Sequence, residues 1–490
     1  MTTTRVMRKQ LFINGEWREA GGGKTIEVVN PATEDVIAEV ASAEQGDVDA
    51  AVAAARAALD GPWGRLSARD RGRLVWKIGE RLMERADEIA RLETLHNGKP
   101  IFESRHIEIP AAAECFQYFA GWADKIHGET IPVRGNFLTY TLREPLGVVA
   151  AIVPWNFPLL LTAWKVAPAL ACGNTVIIKP ASQTPLTALA LAEIAQEVGL
   201  PPGVLNVITG PGSQVGQMLV DHPGIDKIAF TGSAAVGKII LKAAAEQVKR
   251  VTMELGGKSP NIFFADADFE AAIDGALFGV FINQGEVCSA GSRILVERRI
   301  YPKFVEAMTE KAKRIKLGPP LARDTKMGPL VSKEQYDRVL AYQEIGKQEA
   351  KLAIGGGKPK AMAKGYYVEP TIFYDVPNSA RIAREEIFGP VASVIPFDDE
   401  KDAVRIANDT PYGLAAAVWS RDIFKALRMV KALRAGIVWV NHMQPTYVEA
   451  PWGGYKQSGF GRELGPWGIE EYLETKQVHI NLNETPIGWY

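Results

Sequence analysis

Between residues 147 and 256 the sequence alternates between two rhythms, and few folds can accommodate that. Runs at 148–153, 175–179, 204–209, 227–230 and 250–255 read as strands. The stretches between them, at 160–171, 185–197, 215–220 and 236–248, carry helical spacing. Strand and helix in alternation, joined by short connections, specify an α/β fold with a doubly wound, Rossmann-like parallel sheet. Such a sheet takes its ligands at the carboxyl ends of its strands. Two glycine turns stand there. The first, Gly210 to Gly216 with Gly212 inside it, is one residue too long for G-x-G-x-x-G. The second, Gly232-Ser233 to Gly237-Lys238-Ile239, fits G-x-x-x-x-G-K but ends on isoleucine. A magnesium-binding hydroxyl is required at that place, so an ATPase loop is excluded. What remains is strand, glycine turn and helix N-terminus, where free N–H groups favour a phosphate. A tight turn without a ligand is the plainer alternative.

The chain of 490 residues is too long for one core. Residues 10–37 read as short strands with turns. Asp47 is placed to cap a helix over 48–59, and Ser67 a longer one that Asn97-Gly98-Lys99-Pro100 stops. A third helix, around 111–122, holds Cys115 for core packing. A second α/β region begins after Lys258 and runs to about Gly459. The alternating stretches 137–142 and 477–482 could pair as a separate β element between subunits. The units expected are therefore 1–122 with 146–256, then 257–459, and 123–145 with 470–490. A net charge of -1 offers no footprint for nucleic acid or an anionic membrane. No apolar run is long enough to span a bilayer, and the polar N-terminus, residues 1–11, does not read as a secretory signal. Cys115, Cys172 and Cys288 form no paired framework, which suits a reducing, cytoplasmic compartment. The six histidines show no metal-ligand spacing, so no metal is expected.

Three polar side chains stand in apolar company. Cys288 lies in Asn283-Gln-Gly-Glu-Val-Cys288-Ser-Ala-Gly291, with Gly285 and Gly291 allowing close approach of backbone to a small-molecule carbon. One cysteine is ordinarily a small buried hydrophobe, but as thiolate it is a nucleophile. Glu254 ends an apolar strand and precedes two glycines, where partial desolvation raises a carboxyl pKa toward general-base work. Asn156, within Pro154-Trp-Asn-Phe-Pro158, offers an amide N–H that can cap a turn or hold an oxyanion.

These residues also carry a resemblance. Pro154–Pro158, Phe230–Ser233, Met253–Pro260, Gly285–Ala290, Glu385–Pro390 and Pro451–Gly459 match, in order, motifs of the aldehyde dehydrogenase superfamily. The resemblance runs over nearly the whole chain. It implies a cofactor domain, a catalytic domain and a small β oligomerisation element, in a homodimer or homotetramer. It implies that Cys288 attacks an aldehyde carbon while the Asn156 amide and the Cys288 N–H hold the oxyanion. Hydride then leaves for a nicotinamide ring, and Glu254 activates water to release the acid from the thioester. Lys165 would orient the site. Glu386 would hold the nicotinamide ribose with Phe388 beside it, Lys179 the adenosine ribose and Ser233 the pyrophosphate. Ile152, Pro154, Trp155, Phe230, Gly232, Leu255 and Gly256 complete the expected cofactor surface, with Ser182, Gly212 and Gly216. A relay through Lys456 and Glu463 is a further implication by analogy.

Two departures carry information. NAD-specific relatives often have glutamate where Ser182 stands; serine removes a repulsion, and Lys179 can attract a 2′-phosphate, so both NAD and NADP are expected to serve. The C-terminal motifs look most like betaine-aldehyde and aminoaldehyde dehydrogenases, which hold a cation in an aromatic box. Phe157, Trp164 and Trp452 match three walls of that box, but Ile282 makes the fourth aliphatic. Val287, Ser289 and His442 complete the expected substrate contacts. Apolar or aromatic aldehydes are therefore the first expectation, and betaine aldehyde or an aminoaldehyde the alternative. A thioester passed to coenzyme A is disfavoured by Glu254, and a purely structural role by the presence of Cys288, Glu254 and Asn156 together.

Overall fold

The computed structural model describes residues 7–490; the first six positions of the polar N-terminus, which open the first expected unit, lie outside the described residues. Two large sheets dominate. In the first, strands Val148–Ile152, Thr175–Lys179, Leu205–Val207, Lys227–Thr231 and Arg250–Glu254 run parallel, and Val148–Ile152 is central. Their neighbours are the helices Pro158–Ala171, Leu186–Glu197, Gln217–Asp221 and Ala234–Ala245. The strands are buried along most of their length, as a sheet covered on both faces must be. This is the α/β, doubly wound arrangement that the alternation specifies.

The register decides what meets at the sheet's carboxyl edge. Ile152 pairs with Lys179 on one side and Phe230 on the other, and Phe230 pairs with Met253. Glu254 and Thr231 stand opposite one another one residue further on. Gly459–Phe460 returns to this sheet and pairs antiparallel with Met253 and Glu254, so the chain beyond the second α/β region closes the edge beside the glutamate.

The second sheet has seven strands, with Pro260–Phe263 and Arg293–Glu297 adjacent at its middle. The helix Phe269–Phe281 connects them, and the segment carrying Cys288 lies between that helix and Arg293. Phe137–Pro145 and Leu473–Asn481 form a two-stranded antiparallel ribbon, with Gln477 opposite Thr141 and Asn481 opposite Phe137.

Two local expectations change. Asp47 is not the cap but the third residue of the helix Gln45–Asp60; its carboxylate accepts from Glu44 N and Gly21 N, both at 3.0 Å, and so pins the strand-to-helix turn. The long helix after Ser67 is two helices, Ala68–Glu84 and Ala86–Asn97, that meet at Arg85. At the junction Arg85 reaches Glu193 and Glu197 on another helix, and the apolar stripe continues in phase across it. Among the described residues no helix is long and apolar enough to cross a membrane.

Candidate active site

The loop that carries Cys288 is held in a costly conformation. Asn283 and Gln284, neither of them glycine, have φ of 48° and 56°, and Gly285 follows at 74°. Non-glycine residues in this region cost about 1–3 kcal/mol each and persist only where surroundings impose them. Here Asn283 Nδ2 donates to Asn156 O (3.0 Å) and Glu286 O (3.1 Å), while Asn283 N donates to Glu103 (3.0 Å). The two glycines of the motif have a different use from the one their positions suggest. A Cβ on Gly285 would collide with the Gly389–Pro390 backbone, and one on Gly291 would crowd Met443 and Asn261. They admit neighbouring protein, not substrate: Gly285 the segment that follows Glu386, and Gly291 the side chains of Met443 and Asn261.

Cys288 stands where two cavities meet. One, of about 300 Å³, is walled by Phe157, Trp164, Ile282, Val287, Ser289, His442 and Trp452 among others. The Trp164 and Trp452 rings lie 5.3 Å apart, and Ile282 faces the same space. The other, of about 340 Å³, opens at the carboxyl edge of the first sheet and is lined by Pro154, Trp155, Asn156, Gly232, Ser233, Glu254, Leu255, Gly256, Glu386 and Phe388. Trp155 and Phe388 meet edge to face at 5.1 Å. Among the described residues Cys288 is the only one lining both.

Electrostatics at this junction keep protons on. Burial pushes the Cys288 thiol up to about 12, and the Glu254 and Glu386 charges add to the effect. Glu254 is buried at the end of its strand, more completely than its sequence position suggests, and its Oε2 has no hydrogen-bond partner. Its carboxyl is held well above the usual range by burial first and by Glu463 second. Glu386 is raised to about 7 by burial, although Gly257 N donates to it at 2.9 Å. Asn156 Nδ2 donates to Glu286 O at 3.0 Å, which leaves its second N–H uncommitted.

Against this geometry, the model of the Aldehyde dehydrogenase family matches residues 17–478. The chain belongs to the aldehyde dehydrogenase family. It is 45% identical over 492 residues to the chloroplastic betaine aldehyde dehydrogenase of Beta vulgaris, covering 98% of each chain. It is 48% identical over 478 residues to human retinal dehydrogenase 2, covering 96% of this chain and 92% of that one. The solved NAD+ complex of the Bacillus cereus aldehyde dehydrogenase superposes with a TM-score of 0.96 at 48% identity, covering 97% of both chains. Members of this family are oxidoreductases acting on aldehydes, and this chain is one of them.

Not every residue singled out in the sequence reaches a cavity. Lys165 lines neither: it is fully buried, donates to Thr231 Oγ1 at 2.6 Å and forms an ion pair with Glu463. Lys456 does not join them; its ammonium donates to the Asn408 and Thr410 carbonyls at 2.9 and 3.1 Å, away from Glu463. Ile152, Lys179 and Phe230 sit on the row of strand ends beside the second cavity. Burial lowers Lys179 to about 8. Ser182 donates to Gly210 O at 3.1 Å, and a Cβ on Gly212 would lie 3.8 Å from Lys179 Nζ, so Lys179 and the 210–216 turn face one another. Ser233 caps its helix by accepting from Val236 N at 3.3 Å.

Other wall residues carried no sequence signal as such. Ile107, Ala111, Glu114 and Cys115 follow helical spacing on one face and wall the first cavity, so Cys115 is not only core packing. Gln444, which accepts from Ser289 Oγ at 2.6 Å, lies in a coil segment without periodicity. On the other side Thr231, Glu334, Gln335 and Arg338 were missed; Arg338 fixes the Glu386 carbonyl at 2.6 Å.

Proposed function

We propose that this chain oxidises aldehydes to carboxylic acids by covalent catalysis at Cys288, with NAD or NADP as oxidant. The observation that carries this reading is that, among the described residues, Cys288 alone borders both cavities, one apolar and one at the strand ends. The second cavity suits a dinucleotide. Gly256 leaves room that a side chain would take from Glu386, the helix after Ser233 offers free N–H groups, and Trp155 and Phe388 supply flat apolar walls. Pro154, Leu255, Gly232, Ile152 and Phe230 would shape that surface, Glu386 and Lys179 would hold its two riboses, and Ser182, Gly212 and Gly216 would border the adenosine end. A nicotinamide dinucleotide, when bound, supplies the acceptor for the aldehyde hydride.

The rest is the work of the chain itself. Attack needs the Cys288 thiol to lose a proton that burial holds in place. Glu254 and Glu386 are the carboxyls whose charge it feels, and Glu254 is the one with a free oxygen. As sulfur adds to the carbonyl carbon, the oxygen becomes an anion that the free Asn156 N–H and the Cys288 backbone N–H can bind. After hydride loss the carbon is a thioester on Cys288. Once Glu254 has passed the thiol's proton to solvent, its carboxylate, made more basic by burial, takes a proton from water and gives it to the departing sulfur, so that the acid and the thiol are released. Lys165 acts from behind by neutralising Glu463, whose charge otherwise opposes ionisation of Glu254.

The walls of the first cavity favour apolar or aromatic aldehydes, since Ile282 offers no π face to a cation. Betaine aldehyde is the second reading, supported by Phe157, Trp164 and Trp452 and by the relative from Beta vulgaris. Comparing kcat/KM for benzaldehyde, hexanal and betaine aldehyde separates the two, and the first reading is lost if betaine aldehyde leads. A Cys288→Ala enzyme that still oxidised any of them would end the mechanism. The three free cysteines suit a reducing cytoplasm, and the exposed Phe137, Leu138 and Ile480 of the two-stranded ribbon suit assembly into a homodimer or homotetramer.

A further inference from the structure

Behind the Asn156 loop lies a buried ionic network that none of the steps above uses. Lys99 is fully buried, forms an ion pair with Glu108, and donates from Nζ to Asn156 O at 2.9 Å. The same carbonyl accepts from Asn283 Nδ2 at 3.0 Å, while Asn97 Nδ2 donates to Trp155 O at 2.8 Å. The network also grips the far end of the loop. Glu93 accepts from Leu159 N at 3.3 Å and Glu108 from Leu160 N at 3.4 Å, two N–H groups in the first turn of the helix that follows. Residues 155–160 are thus held from both ends by side chains of 93–108. The Asn156 side chain, in turn, is bonded to Glu286 O, two residues before Cys288.

We propose that Lys99 is a positioning residue for the oxyanion contact: its ammonium, fixed by Glu108, sets the direction in which Asn156 presents its amide to the substrate oxygen. This rests on the reading of Asn156 as the oxyanion donor. Folding alone does not account for the lysine, because a buried ion pair contributes little over apolar residues of similar volume. A carbonyl with a cation and an amide on it is polarised and fixed, and the residue that owns it loses freedom at both its backbone and its side chain. An oxyanion donor works only if its direction is set before charge develops. Lys99 also lies 4.3 Å from the centroid of the Phe157 ring, so the same cation steadies the first wall of the aldehyde cavity.

The test separates reactions at Cys288 that develop an oxyanion from one that does not, using the full chain. Acylation by p-nitrophenyl acetate without cofactor forms an oxyanion, as does aldehyde oxidation; alkylation by iodoacetamide forms none. Lys99→Met is expected to slow both of the first two by about tenfold or more and to leave alkylation within about twofold of wild type. Placed on an Asn156→Ala background, it is expected to cost less than about threefold further, because the two residues act as one unit. Lys99→Met/Glu108→Gln removes both charges and carries the same comparison if the single variant does not fold. Wild-type acylation in these variants, an alkylation rate that falls in step, or an undiminished effect on the Asn156→Ala background overturns the proposal. If Asn156→Ala itself leaves acylation unchanged, the oxyanion reading fails instead, and the two failures are told apart.

Discussion

Ser182→Glu is the substitution whose effect can be worked most directly from the structure. Ser182 bonds to Gly210 O, and the turn that begins there faces Lys179 Nζ, so the serine and the lysine flank the same turn at the sheet edge. At an effective dielectric near 20, two unit charges roughly 6 Å apart interact by about 3 kcal/mol, the scale of repulsion that a carboxylate at 182 would exert on a 2′-phosphate held by Lys179. That converts to about a hundredfold in discrimination. Lys179 sits deep enough that burial lowers it to about 8, so it is mostly charged at neutral pH and would offset only part of the new repulsion. The assay is kcat/KM for NAD and NADP with one aldehyde, in wild type and variant at pH 7. The wild type is expected to use both, and the variant to shift the NAD/NADP ratio by about a hundredfold toward NAD. A shift below about threefold would refute the placement of Ser182 beside the 2′ position, and a wild type that already prefers NAD by over a thousandfold would refute dual use.

Three further outcomes follow from other parts of the site. Since burial holds the Cys288 thiol up to about 12, its alkylation by iodoacetamide should climb about tenfold per pH unit from 7 to 10; a plateau below pH 9 would show a thiol that ionises normally. Lys165→Met strands Glu463 beside Glu254 in a buried site and should cost about 3–5 kcal/mol, read as a lower urea midpoint, with Lys165→Met/Glu463→Leu recovering much of it. Ile282→Phe would close the aromatic ring around the first cavity and should raise kcat/KM for betaine aldehyde about 5- to 30-fold relative to hexanal, the worth of one cation–π contact; no change would mean that Ile282 does not meet the substrate.

The parts of the molecule that were legible beforehand share a property: their signal is local. Thr175–Lys179 has the bounds that its β-branched run gives, and the alternation of strands and helices fixes the parallel sheet because short connections leave no other path. Cys288, Glu254 and Asn156 stand out because polar groups in apolar surroundings need a reason to be there. What stayed hidden is set by contacts distant in sequence. Arg85, where the long helix breaks, meets Glu193 and Glu197 more than a hundred residues on, and the use of Gly285 depends on Gly389, about a hundred residues on. Lys99 reads in sequence as part of a helix stop, Asn-Gly-Lys-Pro, and only the fold places its ammonium against the Asn156 carbonyl. Glu463 looked available to Lys456, yet its partner is Lys165, almost three hundred residues earlier.

The junction at Cys288 has a consequence for traffic through the enzyme. Because Cys288 is, among the described residues, the one that lines both cavities, two reactants that occupied them would have separate doors and need never pass each other. On the proposed mechanism an acid product would leave by the apolar door while the other remained filled. A molecule lodged among Trp164, Trp452 and Ile282 should therefore block aldehyde without competing for the dinucleotide, and a plug shaped for one door leaves the other open.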